Sequence, residues 1–320
     1  MPKIAEQNLL TTKQAAQLID VHESSVKRWC KEGKIPCDVT EGGHRRISLH
    51  ELLEFADTRN LHCSLSHFLP EIQLVWRGLR NAQNKKNYDI LFNKGYTWLR
   101  QENQQLFTHL VKFCLEQGIS FSELFDELIS RALRQMGVDW QSNVLDIGTE
   151  HHMTEIVRDI LHEIRLNPVE LRVGSKKGGR SRQTIDPQPV AVVGCNAGNL
   201  HDLGAHAIRI ILEERGWRAI YVGANVPADD LAKLQARHNA SLVCISFVSA
   251  SMINEAERFI EILSRFYNPS HPYHLAIGGY DFPPNAGLQL ERPPFIEINT
   301  YRSTNAFTQW LDQYAKSVTV

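Results

Sequence analysis

The sequence has neither a long apolar run nor an excess of charge of one sign, and each absence excludes a class of protein. No stretch approaches the ~18 consecutive apolar residues that a membrane-spanning helix needs. The opening residues MPKIAEQNLL also lack the apolar core of a signal peptide. The 35 basic and 36 acidic residues nearly cancel, for a formal net charge of −1, so nucleic-acid binding would require a local basic patch. We therefore expect a cytoplasmic protein with no membrane-spanning segment.

Motifs of the common metal and catalytic sites are also missing. No two of the six cysteines form a CxxC pair; they are Cys30, Cys37, Cys63, Cys114, Cys195 and Cys244. This scatter favours buried or unreactive thiols over disulfides or structural zinc. The sequence shows no dinucleotide-binding GxGxxG, no P-loop, no nucleophile elbow and no kinase signature. The function must therefore be sought in less common patterns.

The length and the apolar content predict several folded domains. The chain has 320 residues, of which 42% are hydrophobic, which is more than one ordinary core needs and too apolar for disorder. Apolar residues recur at helical spacing from about 65 to 168, which predicts a helical bundle. After residue 189, apolar strands alternate with helical patterns, as in VAVVG, AHAIRIILEERG and AIYVG. This alternation predicts a parallel sheet with helices on both faces.

The N-terminal residues carry two helix-start signals and a tight turn. The segments Thr11-Thr12-Lys13-Gln14 and Ser48-Leu49-His50-Glu51 both fit the capping box. A helix over residues 12–20, followed by a turn and a second helix over about 23–32, predicts helix-turn-helix geometry. Between residues 27 and 46, six basic side chains stand against three acidic ones. These residues are either a DNA-binding surface or a solvated helix face followed by a polar turn.

The pair Gly42-Gly43 is the predicted turn of a β-ribbon, and His44-Arg45-Arg46-Ile47 follows it. With this ribbon, residues 9 to 57 resemble the winged helix-turn-helix of the MerR family, in the variant with a GGHRRI wing. The resemblance implies sequence-specific binding of double-stranded DNA, usually by a dimer. The residues to which we assign DNA contacts are Thr12, Ser25, Lys27, Arg28, His44, Arg45 and Arg46.

Three short elements follow three predicted strands of the C-terminal part. The first is the loop NLHDLG with His201, the second is Ser246 in ISFV, and the third is Gly278-Gly279. In a parallel sheet these positions share one edge, where ligands bind. A lone loop histidine is otherwise a helix cap or a solvated residue.

Together the three elements resemble the cobalamin-binding domain of methionine synthase and of mutases, over about residues 189 to 318. The resemblance implies that His201 is the lower axial ligand of cobalt, and that Ser246, Gly278 and Gly279 hold the displaced benzimidazole base. Asn199 stands where the family has a carboxylate that orients the imidazole. Since an amide carries no charge, we expect a weaker bond to cobalt.

In the helical middle, Trp140 precedes Glu150-His151 with the spacing W-x9-EH. By itself this pattern fits a core tryptophan and a polar helix start. Joined to the two other resemblances, it resembles the CarH/LitR group of light-responsive transcriptional repressors, whose helical bundle covers the upper face of adenosylcobalamin. The resemblance implies that Trp140 packs over the upper ligand and that Glu150 and His151 contact the adenosyl group. Gln141 stands where the best-understood members of that group have a histidine that can capture cobalt after light breaks the cobalt–carbon bond.

The resemblances divide this multidomain α and α/β chain into four parts: a winged helix-turn-helix domain over 1–60, a helical bundle over 65–170, a basic flexible linker over 171–189, and a Rossmann-like cobalamin-binding domain with a parallel sheet over 190–320. We expect a DNA-binding regulator, a repressor and not an enzyme, whose assembly as dimer or tetramer responds to adenosylcobalamin and to light. One alternative is a regulator that has lost cobalamin, or that binds haem or a protein partner instead. Another is a cobalamin-dependent methyltransferase or mutase subunit, although such enzymes commonly need a further barrel of about 250 residues.

Overall fold

The computed structural model describes residues 9–167, 188–249, 252–280, 282 and 297–318. These residues form two compact units. The first unit holds residues 9–120 and 131–156, and the second holds 121–130, 157–167 and the described residues from 188 onward. The predicted linker over 171–189 lies almost entirely outside the described residues. None of the helices that the structure describes is long and apolar enough to cross a bilayer.

The first unit begins with a winged helix-turn-helix. Its elements are β1 (Leu9–Thr11), α1 (Thr12–Leu18), α2 (Glu23–Lys31), β2 (Asp38–Val39), β3 (Arg45–Ser48) and α3 (Leu49–Thr58). Both predicted helix starts are confirmed: Thr11 and Gln14 form a capping box at α1, and the Ser48 hydroxyl accepts the backbone N–H of Glu51 at 3.1 Å. The predicted ribbon is present as well, with Gly43 at a positive φ of 77° in the turn between β2 and β3. Strand β1 pairs with β3, which the sequence did not predict because three residues are too few to show an alternation.

The helices predicted for the middle of the chain are confirmed. They are α4 (Ile72–Lys85), α5 (Asp89–Arg100), α6 (Gln104–Glu116), α7 (Phe121–Leu124), α8 (Ser130–Gln141) and α9 (Ile147–Leu166). In the first unit, Trp76, Leu99, Phe107 and Phe113 are buried. A five-residue π-helical segment, Phe125–Ile129, connects α7 to α8. Helix α9 begins in the first unit and ends in the second.

The second unit contains a five-stranded parallel sheet, as predicted. Its strands are β4 (Val190–Asn196), β5 (Arg218–Val226), β6 (Leu242–Ser249), β7 (His274–Tyr280) and β8 (Ile298–Tyr301), in the order β5-β4-β6-β7-β8. The helices between or after them are α10 (Leu203–Glu214), α11 (Ala228–His238), α12 (Ile253–Ser264) and α13 (Thr304–Val318). Because β5 and β6 lie on opposite sides of β4, the strand order reverses there. Such a reversal opens a crevice at the carboxyl ends of the strands.

The π-helical segment has a physical role in the second unit. The Asp126 carboxylate accepts the backbone N–H groups of Thr304 and Asn305 at 2.9 and 2.8 Å, at the start of α13. The Thr304 hydroxyl donates to the same carboxylate at 2.9 Å. Burial raises the pKa of Asp126, although these hydrogen bonds favour the ionised form. Asp126 therefore supplies the acceptor that the first N–H groups of α13 need.

Candidate functional site

Helix α2 exposes three basic residues, of which the sequence assigned Lys27 and Arg28 to DNA. Lys27, Arg28 and Lys31 are exposed, while Val26 and Cys30 are buried. The arrangement leaves one apolar face for the core and one basic face for solvent.

On the wing, His44 is exposed, and Arg45 and Arg46 are half-buried along β3. Ser25, near the start of α2, is also half-buried. Within the described residues no ion pair joins Arg45 or Arg46 to a carboxylate. The wing therefore carries positive charge that is available to a phosphate.

Two residues of the predicted DNA surface are already engaged within the protein. Thr12 is buried, and its hydroxyl donates to the Glu23 carboxylate at 2.7 Å. Lys27 forms an ion pair with the same carboxylate at 3.0 Å. These two contacts hold the pKa of Glu23 below its usual value. Thr12 therefore connects α1 to α2, and this correction removes it from the DNA surface.

In the second unit, the loop between β4 and α10 carries His201 in an exposed position. Asn199, only 2% exposed, holds this loop through both ends of its side-chain amide. Its oxygen accepts the backbone N–H of His201, and its nitrogen donates to the Ser246 carbonyl, each at 3.0 Å. The Asn199 carbonyl also accepts the backbone N–H of Asn225 at 2.9 Å. Asn199 thus joins the ends of β4, β5 and β6. Its side-chain oxygen accepts a hydrogen bond from the His201 backbone N–H, whereas the resemblance implied a hydrogen bond with the His201 imidazole.

Ser246 and Gly278 are neighbours across β6 and β7, in the same register as Cys195 on β4. We call His201, Ser246, Gly278 and Gly279 the strand-end site. A Cβ atom at Gly204 would lie 2.8 Å from the Ser246 hydroxyl oxygen, so a larger residue there would require this hydroxyl to move. The structure therefore brings the predicted elements together at one edge of the sheet.

Three exposed apolar residues lie at the edge of the sheet that carries the strand-end site. Leu200, Val248 and Tyr280 are exposed large hydrophobic residues that lie near the carboxyl ends of three adjacent strands. The side-chain oxygen of Asn196 is buried and accepts no hydrogen bond from the described part of the chain. Exposed apolar groups beside an unused polar acceptor are typical of a ligand surface.

The sequence did not predict the two residues outside the His201 loop that contact its Asp202 carboxylate, Arg158 on α9 and Tyr221 on β5. Asp202 accepts a hydrogen bond from the Tyr221 hydroxyl at 2.7 Å and pairs with the Arg158 guanidinium at 2.9 and 3.1 Å. Burial raises the pKa of Asp202, but the contacts with Arg158 and Tyr221 outweigh burial and hold the pKa below its usual value. The carboxylate is therefore ionised. No local pattern joins Arg158 to Asp202, because 44 residues separate them.

The residues predicted to cover a ligand lie in the first unit. Trp140, at the end of α8, is 47% exposed, and Val138, Val144 and Ile147 near it in sequence are also exposed apolar residues. The pattern of exposure is typical of a ligand-facing surface and contradicts a core position for Trp140.

Glu150 is half-buried and His151 exposed near the start of α9, with 3.6 Å between the Glu150 carboxylate and the His151 ring. The Thr154 hydroxyl donates to Glu150 at 3.0 Å. Asp139, which the sequence did not single out, accepts hydrogen bonds from the Tyr96 hydroxyl at 2.7 Å and from Gln135 at 2.8 Å. Asp139 therefore fixes the end of α8 immediately before Trp140.

Two regions of the chain match family models of known proteins. A helix-turn-helix domain model matches residues 9–60, and a B12 binding domain model matches residues 189–292. The HTH-type transcriptional repressor CarA of Myxococcus xanthus is 26% identical over 157 residues, which are 48% of this chain and 46% of CarA. The repressor CarH of the same organism is 27% identical over 145 residues, which are 44% of this chain and 41% of CarH. The chain thus spans about half the length of the curated relatives it matches.

The monomethylamine corrinoid protein of Methanosarcina barkeri has a similar structure, with a TM-score of 0.51 and 13% identity. The similarity covers 70% of this chain and 98% of that protein, and it concerns the fold alone. Together the matches confirm the resemblance seen in the sequence: the chain combines a helix-turn-helix domain with a B12 binding domain.

The contacts of Asn199 predict that aspartate, the residue type of the family pattern, will not fit this loop. Asn199→Asp would replace the donating nitrogen with a carboxylate oxygen about 3.0 Å from the Ser246 carbonyl. We expect a loss of about 1–3 kcal/mol in the free energy of unfolding at neutral pH. Urea denaturation measures it, with the exposed neighbour replaced in Leu200→Ala as control. An Asn199→Asp protein as stable as the parent would contradict the role assigned to this amide.

Proposed function

We propose that the chain is a DNA-binding transcriptional repressor whose assembly and DNA binding are controlled by adenosylcobalamin and by light. The observation that carries the proposal is the joining of two features in one chain. One is a helix-turn-helix with an exposed basic face, and the other is the strand-end site with an exposed His201. The relatives CarA and CarH, which are repressors by name, support the regulatory part.

In the winged helix-turn-helix, α2 would enter the major groove and the wing would lie along the DNA backbone. Arg28 is exposed on α2 and can reach a base edge, whereas Arg45 and Arg46 on β3 would contact phosphates. Lys27 forms an ion pair with Glu23, so we expect Lys27 to contribute less to DNA affinity than Arg28.

The residues of the strand-end site fit cobalamin. The exposed His201 imidazole would ligate cobalt, and the Ser246 hydroxyl with the bare backbone of Gly278 and Gly279 would hold the nucleotide tail. Since Asn199 binds the His201 backbone, it keeps the loop in place even though it does not orient the ring. Bound adenosylcobalamin would supply a cobalt–carbon bond that light breaks.

In the first unit, Trp140 would cover the adenosyl group, with Glu150 and His151 as polar contacts. Asp139 would keep Trp140 in position through its bonds to Tyr96 and Gln135. These contacts would favour one assembly, dimer or tetramer, over another. A ligand shifts such an equilibrium only by its difference in affinity for the two states.

The helix-turn-helix favours a regulator over a methyltransferase or mutase subunit, because neither methyl transfer nor a mutase reaction requires a DNA-binding domain. The second candidate is a regulator that works without cobalamin. This candidate is favoured by Gln141, which is exposed and carries an amide at the position where a histidine would ligate cobalt.

The DNA-binding assignment predicts different effects for the helix and the wing. Arg28→Ala should cost about 1–3 kcal/mol of discrimination between an operator selected from random DNA and unrelated DNA. Arg45→Ala and Arg46→Ala should weaken binding to both DNAs and lower the slope of affinity against salt by about one ion each. Gel-shift titrations at several salt concentrations measure both, with the exposed Lys85→Ala as control. Parent-like binding by the Arg28→Ala, Arg45→Ala double variant refutes the assignment.

The cobalt-ligand assignment predicts that His201→Ala keeps its fold and loses cobalamin. We expect more than about tenfold weaker retention, because a direct ligand matters at least as much as the groups behind it. Visible spectra after gel filtration measure it, with the His238→Ala variant in α11 as control. His206→Ala reports general damage, since that ring is buried against Tyr221 at 4.4 Å. An unchanged spectrum in His201→Ala would show that another group binds cobalt.

The light proposal predicts a change of assembly on illumination. The parent loaded with adenosylcobalamin should differ in size between dark and light, because illumination removes the group that Trp140 covers. Gln141 is a poor cobalt ligand, so the illuminated parent should lose cofactor faster than Gln141→His. Size-exclusion chromatography with absorption spectra tests both points. A parent that assembles identically without cofactor, in the dark and after light would favour the regulator that works without cobalamin.

A further inference from the structure

The carboxylate of Asp202 does not cap the helix that it precedes. Asp202 occupies the N-cap position of α10, where aspartate usually accepts a backbone N–H of the first helical turn. Here its side chain makes no such bond and turns instead to Arg158 and Tyr221. The Asp202 carboxylate thus contacts a second helix, α9, instead of the start of its own helix.

The ion pair between Arg158 and Asp202 connects helix α9 to the residue beside His201. Both side chains are largely buried, with 26% of Arg158 and 13% of Asp202 exposed. The guanidinium donates a hydrogen bond to one carboxylate oxygen at 3.1 Å and lies 2.9 Å from the other, so the two charges form a close ion pair. Asp202 directly follows His201, so the ion pair with Arg158 anchors the chain next to His201.

The same face of α9 makes further contacts with α10. Arg165 binds Glu213 at 2.8 Å, and the rings of His162 and His206 lie 5.0 Å apart. Positions 158, 162 and 165 lie on one face of a helix. Among these contacts, that of Arg158 reaches the residue beside His201, whereas that of Arg165 lies about three turns farther along α10.

We propose that Arg158 is a positioning residue that connects the His201 loop to helix α9. This inference rests on the proposed function, because it assigns the route by which the state of the cobalt ligand reaches α9. Glu150 and His151 stand about two turns before Arg158 on the same helix. A shift of the His201 loop is passed through Asp202 and Arg158 to the helix that carries these two contacts. Such a connection is a coupling free energy between the two sites, and it acts in both directions.

The first test needs no cofactor. Arg158→Gln removes the charge that holds Asp202, and Arg165→Gln, its matched control, breaks an ion pair between the same two helices away from the loop. Hydrogen exchange of the backbone amides over residues 197–204 should be roughly fivefold or more faster in Arg158→Gln, and parent-like in Arg165→Gln. Tyr221→Phe, which removes one hydrogen bond to Asp202, should show the same effect more weakly, and it replaces Arg158→Gln if that variant does not fold. Parent-like exchange of the loop in the folded Arg158 or Tyr221 variant overturns the inference.

The second test uses the protein loaded with adenosylcobalamin. Arg158→Gln should keep the dark absorption spectrum of the parent but lose most of the difference in assembly between dark and light. Arg165→Gln should keep both, and Arg158→Lys, which retains the charge without the paired contacts, should lie between them. Equal loss in the Arg158 and Arg165 variants overturns the inference. If the parent itself binds no cobalamin, the proposed function fails, and the exchange experiment alone decides whether Arg158 holds the loop.

Discussion

The candidate cofactor site depends on the buried side-chain amide of Asn199. This amide satisfies a donor and an acceptor at once, the Ser246 carbonyl and the His201 N–H, and so holds the ends of β4 and β6 together. A carboxylate offers only acceptors at neutral pH and would face the Ser246 carbonyl unfavourably. Read from the sequence, Asn199 is a weakened partner for the imidazole. In the folded chain, the Asn199 side chain holds the backbone of His201 in place.

Charge in this protein acts through local pairs, in keeping with a net charge near zero. In the winged helix-turn-helix, the Glu23 carboxylate accepts the Thr12 hydroxyl and pairs with Lys27, whereas Arg28 on the same helix is exposed. In the second unit, Asp202 binds Arg158 rather than the start of its own helix. In each unit a carboxylate thus binds a basic side chain within the protein: Glu23 binds Lys27, and Asp202 binds Arg158.

The parts of the fold that were predicted from the sequence have signals within a few residues. Capping boxes placed the starts of α1 and α3, and Gly42-Gly43 placed the turn of the wing. Continuous apolar strands alternating with helices identified the parallel sheet. The sequence missed β1, which is too short to alternate, and the π-helical segment, whose Asp126 is explained only by the distant start of α13. The exposure of Trp140 was equally out of reach, since a tryptophan near a helix end fits a core position as well.

The sequence by itself determined which chemical groups the chain carries and the order in which its elements occur. It marked His201, Ser246 and the glycine pair, because strand ends of a parallel sheet meet at one edge whatever the rest of the fold. Only the tertiary structure decided what each group touches. Arg158 and Asp202 are 44 residues apart, Tyr96 and Asp139 are 43 apart, and Asn199 and Ser246 are 47 apart. Pairs this distant leave no periodic pattern, since their geometry arises only when separate helices and strands pack together.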